Sequence, residues 1–322
     1  MALKHAVLSL AAGLLVAGCE RQPAASAPVQ PLRIVVSVAP LVSLAADLAP
    51  PGSEVTALIP AGRSLHSYEV TPADIARLAT ADVVVYVGLA LDPKVSDFLL
   101  SQPSSRRSVV CFADAVGLRL PDGFTAHEGH DHGDEADHEG DHEDNIEPPI
   151  DQHLWLDPVL VAALVPSLCD AIGEAEGRWG TVREAETTRL AEAKGSLLSR
   201  IEAMDAEYAE RLRPLAGKSI VTHHDAFRRI ADRYGLRIAA VIRPIESAEP
   251  TPGAIAAAAE AAKAQNAGAV FFEPQFDPAS AERIAQAAGA RLGRLDPEGD
   301  TDWFRLMREN LDSLVTNLSD KP

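Results

Sequence analysis

Short apolar runs alternate with amphipathic segments in two parts of the chain. Eight such runs, each bounded by turn residues, predict buried strands at residues 32–38, 54–60, 81–88, 106–112, 218–224, 236–242, 267–273 and 291–296. The stretches between them have the spacing of helices with one buried face. Strands that alternate with helices form parallel sheets. The pattern therefore predicts an α/β protein with two lobes, each a central, mostly parallel sheet flanked by helices.

A long polar segment separates the two arrays. Residues 179–213 contain no proline, and the first one after them is Pro214. Their apolar positions follow helical spacing, at Leu190, Leu197, Ile201, Met204, Tyr208 and Leu212. The segment predicts one long, rigid helix that joins the two lobes.

The first residues have the pattern of an export signal. A short positive region ends at His5, thirteen mostly apolar residues follow, and Cys19 comes directly after them. Such a run is too short to span a bilayer but suits a signal peptide. The ending LVAGC is similar to a bacterial lipobox, which predicts lipidation of Cys19. The alternative is ordinary cleavage nearby, with Cys19 incidental.

The chain is long enough, at 322 residues, for two domains. Its predicted parts are a signal peptide at 1–19, a flexible tether rich in Pro, Ala and Ser at 20–31, an N-terminal lobe at 32–178, the linking helix at 179–213 and a C-terminal lobe at 214–322. Two further cysteines, Cys111 and Cys169, are consistent with a disulfide or with two buried thiols.

Negative charge is concentrated in one loop of the N-terminal lobe, residues 126–147. The formal net charge of the chain is −18, and residues 127–147 hold ten acidic residues without a Lys or Arg. Such a chain is unsuited to nucleic acid or to an anionic membrane surface. The only membrane contact that we expect is the lipid anchor.

The same loop is rich in histidine. Residues 126–144 contain nine carboxylates and five histidines, namely His127, His130, His132, His138 and His142. Imidazole and carboxylate are ligands for zinc and related metals. The loop has almost no apolar residues to pack, and ordering it around a metal costs conformational entropy. We therefore expect several weak accessory sites. The alternative is a solvated acidic insert with no transport role.

The histidines elsewhere in the mature chain lie at strand or loop boundaries, where ligands of α/β sheets collect. They are His66, His153, His223 and His224, and Asp296 has a similar position at the end of a predicted strand. Three neutral imidazoles and one carboxylate suit tetrahedral Zn²⁺, and Mn²⁺ or Fe²⁺ is less favoured by so much nitrogen. A lone histidine in such a place is more often a hydrogen-bonding loop residue.

Several motifs resemble those of the ZnuA-like metal-binding receptors of bacterial zinc and manganese ABC transporters. They are GRSLHSYEVTPADIARLATADVVVYVG, DQHLWLDP, THHDAFRRIADRYGL and FFEPQFDPASAERIAQAAGA with the later LDP, in that order from about residue 32 onwards. The resemblance implies a periplasmic or extracytoplasmic receptor that is not an enzyme. It implies two lobes with the metal between them, and delivery of the metal to a membrane permease.

The resemblance also implies particular ligands. His66, His153 and His224 match the three imidazole positions, and Asp296 matches the carboxylate that completes the set. A histidine at the third position is typical of the zinc type, so zinc is the expected cargo. The chain departs from the family at Glu298, where leucine is common. This glutamate either adds a carboxylate near the site or points to solvent, and water is an alternative fourth ligand.

Other readings of the same residues remain open. The alternatives are a manganese or iron receptor of this family, a surface metal buffer or adhesin, and a zinc-dependent hydrolase with Glu69 or Glu273 as base. No H-E-x-x-H motif supports the hydrolase. Supporting roles are expected for Glu273 and Gln275 (bracing of the lobe interface or of the metal ligands), for Trp155 (exclusion of water) and for Arg243 and Glu246 (a loop contact). We expect a monomer.

Overall fold

The computed structural model describes residues 30–63, 65, 68–120, 150–178, 184–244 and 249–319. The predicted signal peptide with Cys19, most of the tether, His66 and the loop at 126–147 lie outside these residues. The strands are β1 (Arg33–Val36), β2 (Glu54–Ala57), β3 (Val83–Tyr86), β4 (Ser108–Cys111), β5 (Ser219–Thr222), β6 (Arg237–Val241), β7 (Ala269–Phe272) and β8 (Arg291–Arg294).

The helices lie between and around the strands, as the sequence pattern predicts. They are α1 (Leu41–Leu48), α2 (Pro72–Thr80), α3 (Pro93–Ser101), α4 (Phe112–Ala115), α5 (Pro158–Gly177), α6 (Glu184–Leu212), α7 (Arg228–Tyr234), α8 (Pro252–Ala264), α9 (Ala279–Ala288) and α10 (Trp303–Leu318). Single 3₁₀ turns occupy Leu154–Leu156 and Arg213–Leu215.

The two sheets share one topology. All strands are parallel, in the order β2-β1-β3-β4 in the N-terminal lobe and β6-β5-β7-β8 in the C-terminal lobe. In such sheets the connections leave in opposite directions from the two central strands, which opens a crevice at their carboxyl ends. The crevices lie beyond β1 and β3 and beyond β5 and β7. The predicted α/β class with two lobes is confirmed.

The paired strands are shorter than the apolar runs that predict them. The predicted strand 218–224 ends its pairing at Thr222, so His223 and His224 follow the sheet edge. The predicted strand 267–273 ends at Phe272, and Glu273 follows it. The extra residues are buried in the crevice rather than in the sheet, which explains why an apolar pattern overestimates strand length here.

The long helix α6 lies between the lobes, as predicted. Its buried residues are the six apolar positions at helical spacing, namely Leu190, Leu197, Ile201, Met204, Tyr208 and Leu212. The hydroxyl of Tyr208 donates to the carbonyl of Met307 at 2.6 Å, which ties α6 to α10. The helix contributes to a hydrophobic core that is continuous across both lobes.

Two buried tryptophans connect the lobes directly. The indole Nε1–H of Trp155, in the N-terminal lobe, donates to the carbonyl of Pro297 at 2.7 Å. The indole of Trp303 donates in return to the carbonyl of Trp155 at 2.6 Å. Both side chains are fully buried. Because buried indole groups need partners, this reciprocal pair fixes the lobes in one relative position.

In the part of the chain that the structure describes, α5 alone is long and apolar enough to cross a membrane. Half of its apolar stretch is buried, and the helix packs on α6 and β4. The cap formed by Asp157, whose side chain accepts from the backbone N–H of Val159, starts the helix next to the 3₁₀ turn.

The two cysteines that the structure describes are free thiols. Burial raises the pKa of Cys169 and of Cys111, so both carry little thiolate at neutral pH. We expect the chain from Glu20, purified without reductant, to show two reactive thiols after unfolding and slow alkylation when folded. Quantitative thiol labelling measures both. A disulfide between them would leave no thiol to label in the unfolded, unreduced chain.

Candidate metal centre

The crevice of the C-terminal lobe brings a histidine and a carboxylate together. His224 comes two residues after β5, and Glu273 comes directly after β7, the strand that pairs with β5. The Nδ1 atom of His224 lies 2.6 Å and 2.7 Å from the two oxygens of Glu273. The backbone N–H of His224 donates to the same carboxylate at 3.1 Å. Glu273 therefore fixes the ring of His224, and the predicted bracing role of Glu273 agrees with this geometry.

The N-terminal lobe supplies a matching pair. The Nδ1 atom of His153 lies 2.9 Å from Oδ1 of Asp151, which also accepts from the backbone N–H of His153 at 2.9 Å. The guanidinium of Arg229 donates to the backbone carbonyl of Asp151 at 2.7 Å. Burial raises the pKa of the Asp151 carboxyl, but the hydrogen bonds of His153 and the charge of Arg229 outweigh burial and hold the pKa below its usual value.

The two imidazoles meet across the boundary between the lobes. The Nε2 atoms of His153 and His224 are 3.0 Å apart, and both residues are buried. On each ring we assign the proton to Nδ1, because a carboxylate accepts there. Both Nε2 atoms then present lone pairs to each other, an arrangement that a cation between them stabilises. Two nitrogen ligands of a tetrahedral zinc are about 3.3 Å apart, so a small separation of the rings admits the metal.

An indole protects this pair from water. The ring of Trp155 packs edge to face on the ring of His153, with centroids 5.3 Å apart. The predicted role of Trp155 in excluding solvent agrees with its complete burial. A dry environment strengthens the electrostatic attraction between a cation and its ligands.

The carboxylate of Asp296 is held by its own surroundings. Its Oδ1 accepts from Nε2 of Gln275 at 2.9 Å and from the backbone N–H groups of Glu298 and Gly299 at 3.1 Å and 2.9 Å. Its Oδ2 accepts from Arg294 at 2.9 Å. Gln275 thus holds the carboxylate of Asp296, whose role as a metal ligand stays a prediction. Glu298, where the chain departs from the family, does not point to solvent, because only 5% of this residue is exposed.

His66 lies outside the described residues, but the position before it is known. Leu65 is buried, and its backbone N–H donates to Oε1 of Glu298 at 3.0 Å. Among the residues that the structure describes, no three His, Cys, Asp or Glu side chains converge as a metal-binding group. The paired imidazoles of His153 and His224 are therefore what the described residues place at the lobe boundary.

His223 has surroundings different from those of its neighbour. Its ring stacks on Phe276 at 4.8 Å, and the guanidinium of Arg243 lies over the same phenyl group. Burial lowers the pKa of His223, so its ring stays neutral. Arg243 pairs with Glu249, which agrees with the expected loop contact, whereas Glu246 lies outside the described residues.

Asp151 is the supporting residue that sequence reasoning missed. The signal was available, because an aspartate two residues before a histidine can accept from that residue's backbone N–H in a local turn. The motif DQHLWLDP contains this spacing. The structure adds that the same carboxylate also contacts Nδ1 of the His153 ring.

The fold is that of a two-lobed α/β protein with two facing imidazoles at the lobe boundary. The family model for the zinc-uptake complex component A, periplasmic, matches residues 34–317, and the chain belongs to this family. The resemblance seen in the motifs is thereby confirmed.

Individual relatives of this chain are zinc proteins by name. Zinc-binding lipoprotein AdcA of Streptococcus pneumoniae is 30% identical over 318 residues, which cover 95% of this chain and 59% of AdcA. This chain therefore spans little more than half the length of that relative. High-affinity zinc uptake system protein ZnuA of Brucella abortus is 28% identical over 293 residues, 83% of this chain and 84% of ZnuA. The structure of the Zn(II)-bound ZnuA-like domain of S. pneumoniae AdcA has a TM-score of 0.68 at 22% identity, covering 90% of this chain and 100% of that domain.

The geometry predicts which ring nitrogen carries the proton. In the metal-free protein above pH 8, we expect ¹⁵N spectra to show protonated Nδ1 on both His153 and His224. In Glu273→Leu the His224 ring loses its acceptor, so its proton is expected to distribute between Nδ1 and Nε2. The ring of His153 serves as internal control because Asp151 is unchanged. Protonated Nε2 on His224 in the unaltered protein would contradict the assignment.

Proposed function

We propose that the protein is a zinc receptor outside the cytoplasmic membrane that captures Zn²⁺ and delivers it to an ABC permease. One observation carries this proposal: two buried imidazoles from different lobes face each other through Nε2, each backed by a carboxylate. Carboxylate-backed imidazoles facing one point are the usual way in which proteins present nitrogen ligands to zinc.

The proposed ligand set is His66, His153, His224 and Asp296. The support for His153 and His224 is their contact, and the support for His66 is the anchored backbone of Leu65 beside it. Asp296 lies in the turn that also carries Glu298, the partner of Leu65. Four ligands of this kind give a closed tetrahedral site suited to zinc, with Mn²⁺ or Fe²⁺ less favoured by the nitrogen-rich set.

The relatives support zinc as the cargo. One is named for zinc binding and another for high-affinity zinc uptake. We further propose that Cys19 carries a lipid anchor, since the streptococcal relative is named a lipoprotein. The histidines of the loop at 126–147 are proposed to collect zinc weakly beside the main site. The receptor is proposed to act as a monomer.

The same contacts weigh against a hydrolase. Glu273, one of the two glutamates considered as a general base, accepts from the ring and backbone of His224. A carboxylate that orients a ligand in this way is not placed to activate water, and a fourth protein ligand would occupy the position that a substrate needs. The family is one of uptake components. We therefore propose that the protein is not an enzyme.

A competitive zinc titration tests the proposal. The chain from Glu20 is expected to bind one Zn²⁺ tightly, and His66→Ala, His153→Ala and His224→Ala each to weaken that site more than about a hundredfold, since even removal of a supporting residue costs 10–100-fold. His223→Phe, which preserves stacking on Phe276, is the matched control and is expected to retain tight binding. Deletion of residues 126–147 is expected to remove only weak sites.

Loss of tight binding on deletion of the loop would contradict the proposal, because the loop would then be the receptor site. Equal losses in His223→Phe and His224→Ala would contradict the assignment of the third ligand. Ester or peptide hydrolysis that disappears in His153→Ala would favour the hydrolase instead.

A further inference from the structure

One segment of the C-terminal lobe, residues 296–303, contacts both loops of the N-terminal lobe that carry proposed ligands. The carbonyl of Pro297 accepts from Trp155, two residues after His153. Oε1 of Glu298 accepts from the backbone N–H of Leu65, one residue before His66. We call this segment the bridging segment. It begins with Asp296, so it connects three of the four proposed ligand positions.

The far end of the bridging segment is fixed as well. The backbone N–H of Ser43 donates to the carbonyl of Thr301 at 3.1 Å, and the hydroxyl of Ser43 accepts from the backbone N–H of Trp303 at 3.0 Å. These contacts hold the segment on α1 of the opposite lobe. The backbone at Glu298 is therefore held by contacts at both ends of the bridging segment, and its position does not depend on its own side chain.

The turn within the segment places Glu298 relative to Asp296. Gly299 has a φ of +57°, and a Cβ there would lie 2.7 Å from the side chain of Leu306. The turn brings the N–H groups of Glu298 and Gly299 onto Oδ1 of Asp296. The two acidic residues are thus held in one rigid turn, with Asp296 in the proposed metal set and Glu298 directed to Leu65.

We propose that Glu298 is a positioning residue that holds the backbone at Leu65 in register with the His153–His224 pair. This inference rests on the proposed zinc site. The Oε1–Leu65 hydrogen bond joins residues 233 positions apart and crosses from one lobe to the other.

The physical reason is preorganisation. A carboxylate accepts a hydrogen bond from a backbone N–H more strongly than a neutral group does, and it is costly to bury without such partners. Holding the backbone at Leu65 before the metal arrives means that binding does not have to order it. Leucine at this position fills a similar volume but offers no acceptor, whereas glutamine keeps an oxygen that can accept from Leu65.

Two measurements on the chain from Glu20 test the inference. In the metal-free protein, amide hydrogen exchange at Leu65 is expected to be slow in the unaltered chain and in Glu298→Gln, and fast in Glu298→Leu. With metal, Glu298→Leu is expected to raise the zinc dissociation constant about tenfold and to change the visible spectrum of the Co²⁺-substituted site, while Glu298→Gln stays within about twofold.

Glu176→Leu is the matched control. Glu176 lies at the carboxyl end of α5, and its buried carboxylate pairs with Arg189 of α6. Its removal is expected to lower the free energy of unfolding without changing zinc affinity. Equal zinc affinity and equal Leu65 exchange in Glu298→Leu and the unaltered chain would overturn the inference. An equal loss of affinity in Glu298→Gln and Glu298→Leu would also overturn it, because charge rather than positioning would then matter. A chain without any tight zinc site would instead refute the proposed function, and the inference with it.

Discussion

The contact between Nε2 of His153 and Nε2 of His224, 3.0 Å apart across the lobe boundary, is the constraint on which the rest of the molecule depends. Each ring is held from behind by a carboxylate, so neither can turn its nitrogen away without losing a buried hydrogen bond. The facing lone pairs favour a cation. A structure that keeps them together must therefore hold the two lobes rigidly, because a small rotation of either lobe would separate the rings.

The fold supplies that rigidity by several independent means. The reciprocal indole contacts of Trp155 and Trp303 fix the lobes near the site, and α6 fixes them along its length through a core shared by both. In the C-terminal lobe, the parallel pairing of β5 and β7 brings His224 and Glu273 to neighbouring strand ends. A long packed helix resists bending, so we expect small adjustments of the lobes when metal binds rather than wide closure.

Much of this architecture could be predicted from the sequence, because strands, helices and the six buried positions of α6 follow from periodicity that local sequence carries. The bracing role of Glu273 could also be predicted, since it follows a buried strand. The backbone contact between Asp151 and His153 follows from their spacing, but the contact of the same carboxylate with the ring does not. The contact of Glu298 depends on a partner that only the tertiary structure brings to it. Leu65 is 233 positions from Glu298, and no local pattern reports that contact.

The most direct test of the central claim is anomalous diffraction at the zinc edge from crystals of the protein loaded with one equivalent of Zn²⁺. We expect a single strong peak between the Nε2 atoms of His153 and His224, about 2.0–2.1 Å from each. Zinc located in the loop at 126–147, with those two nitrogens unligated, would contradict it.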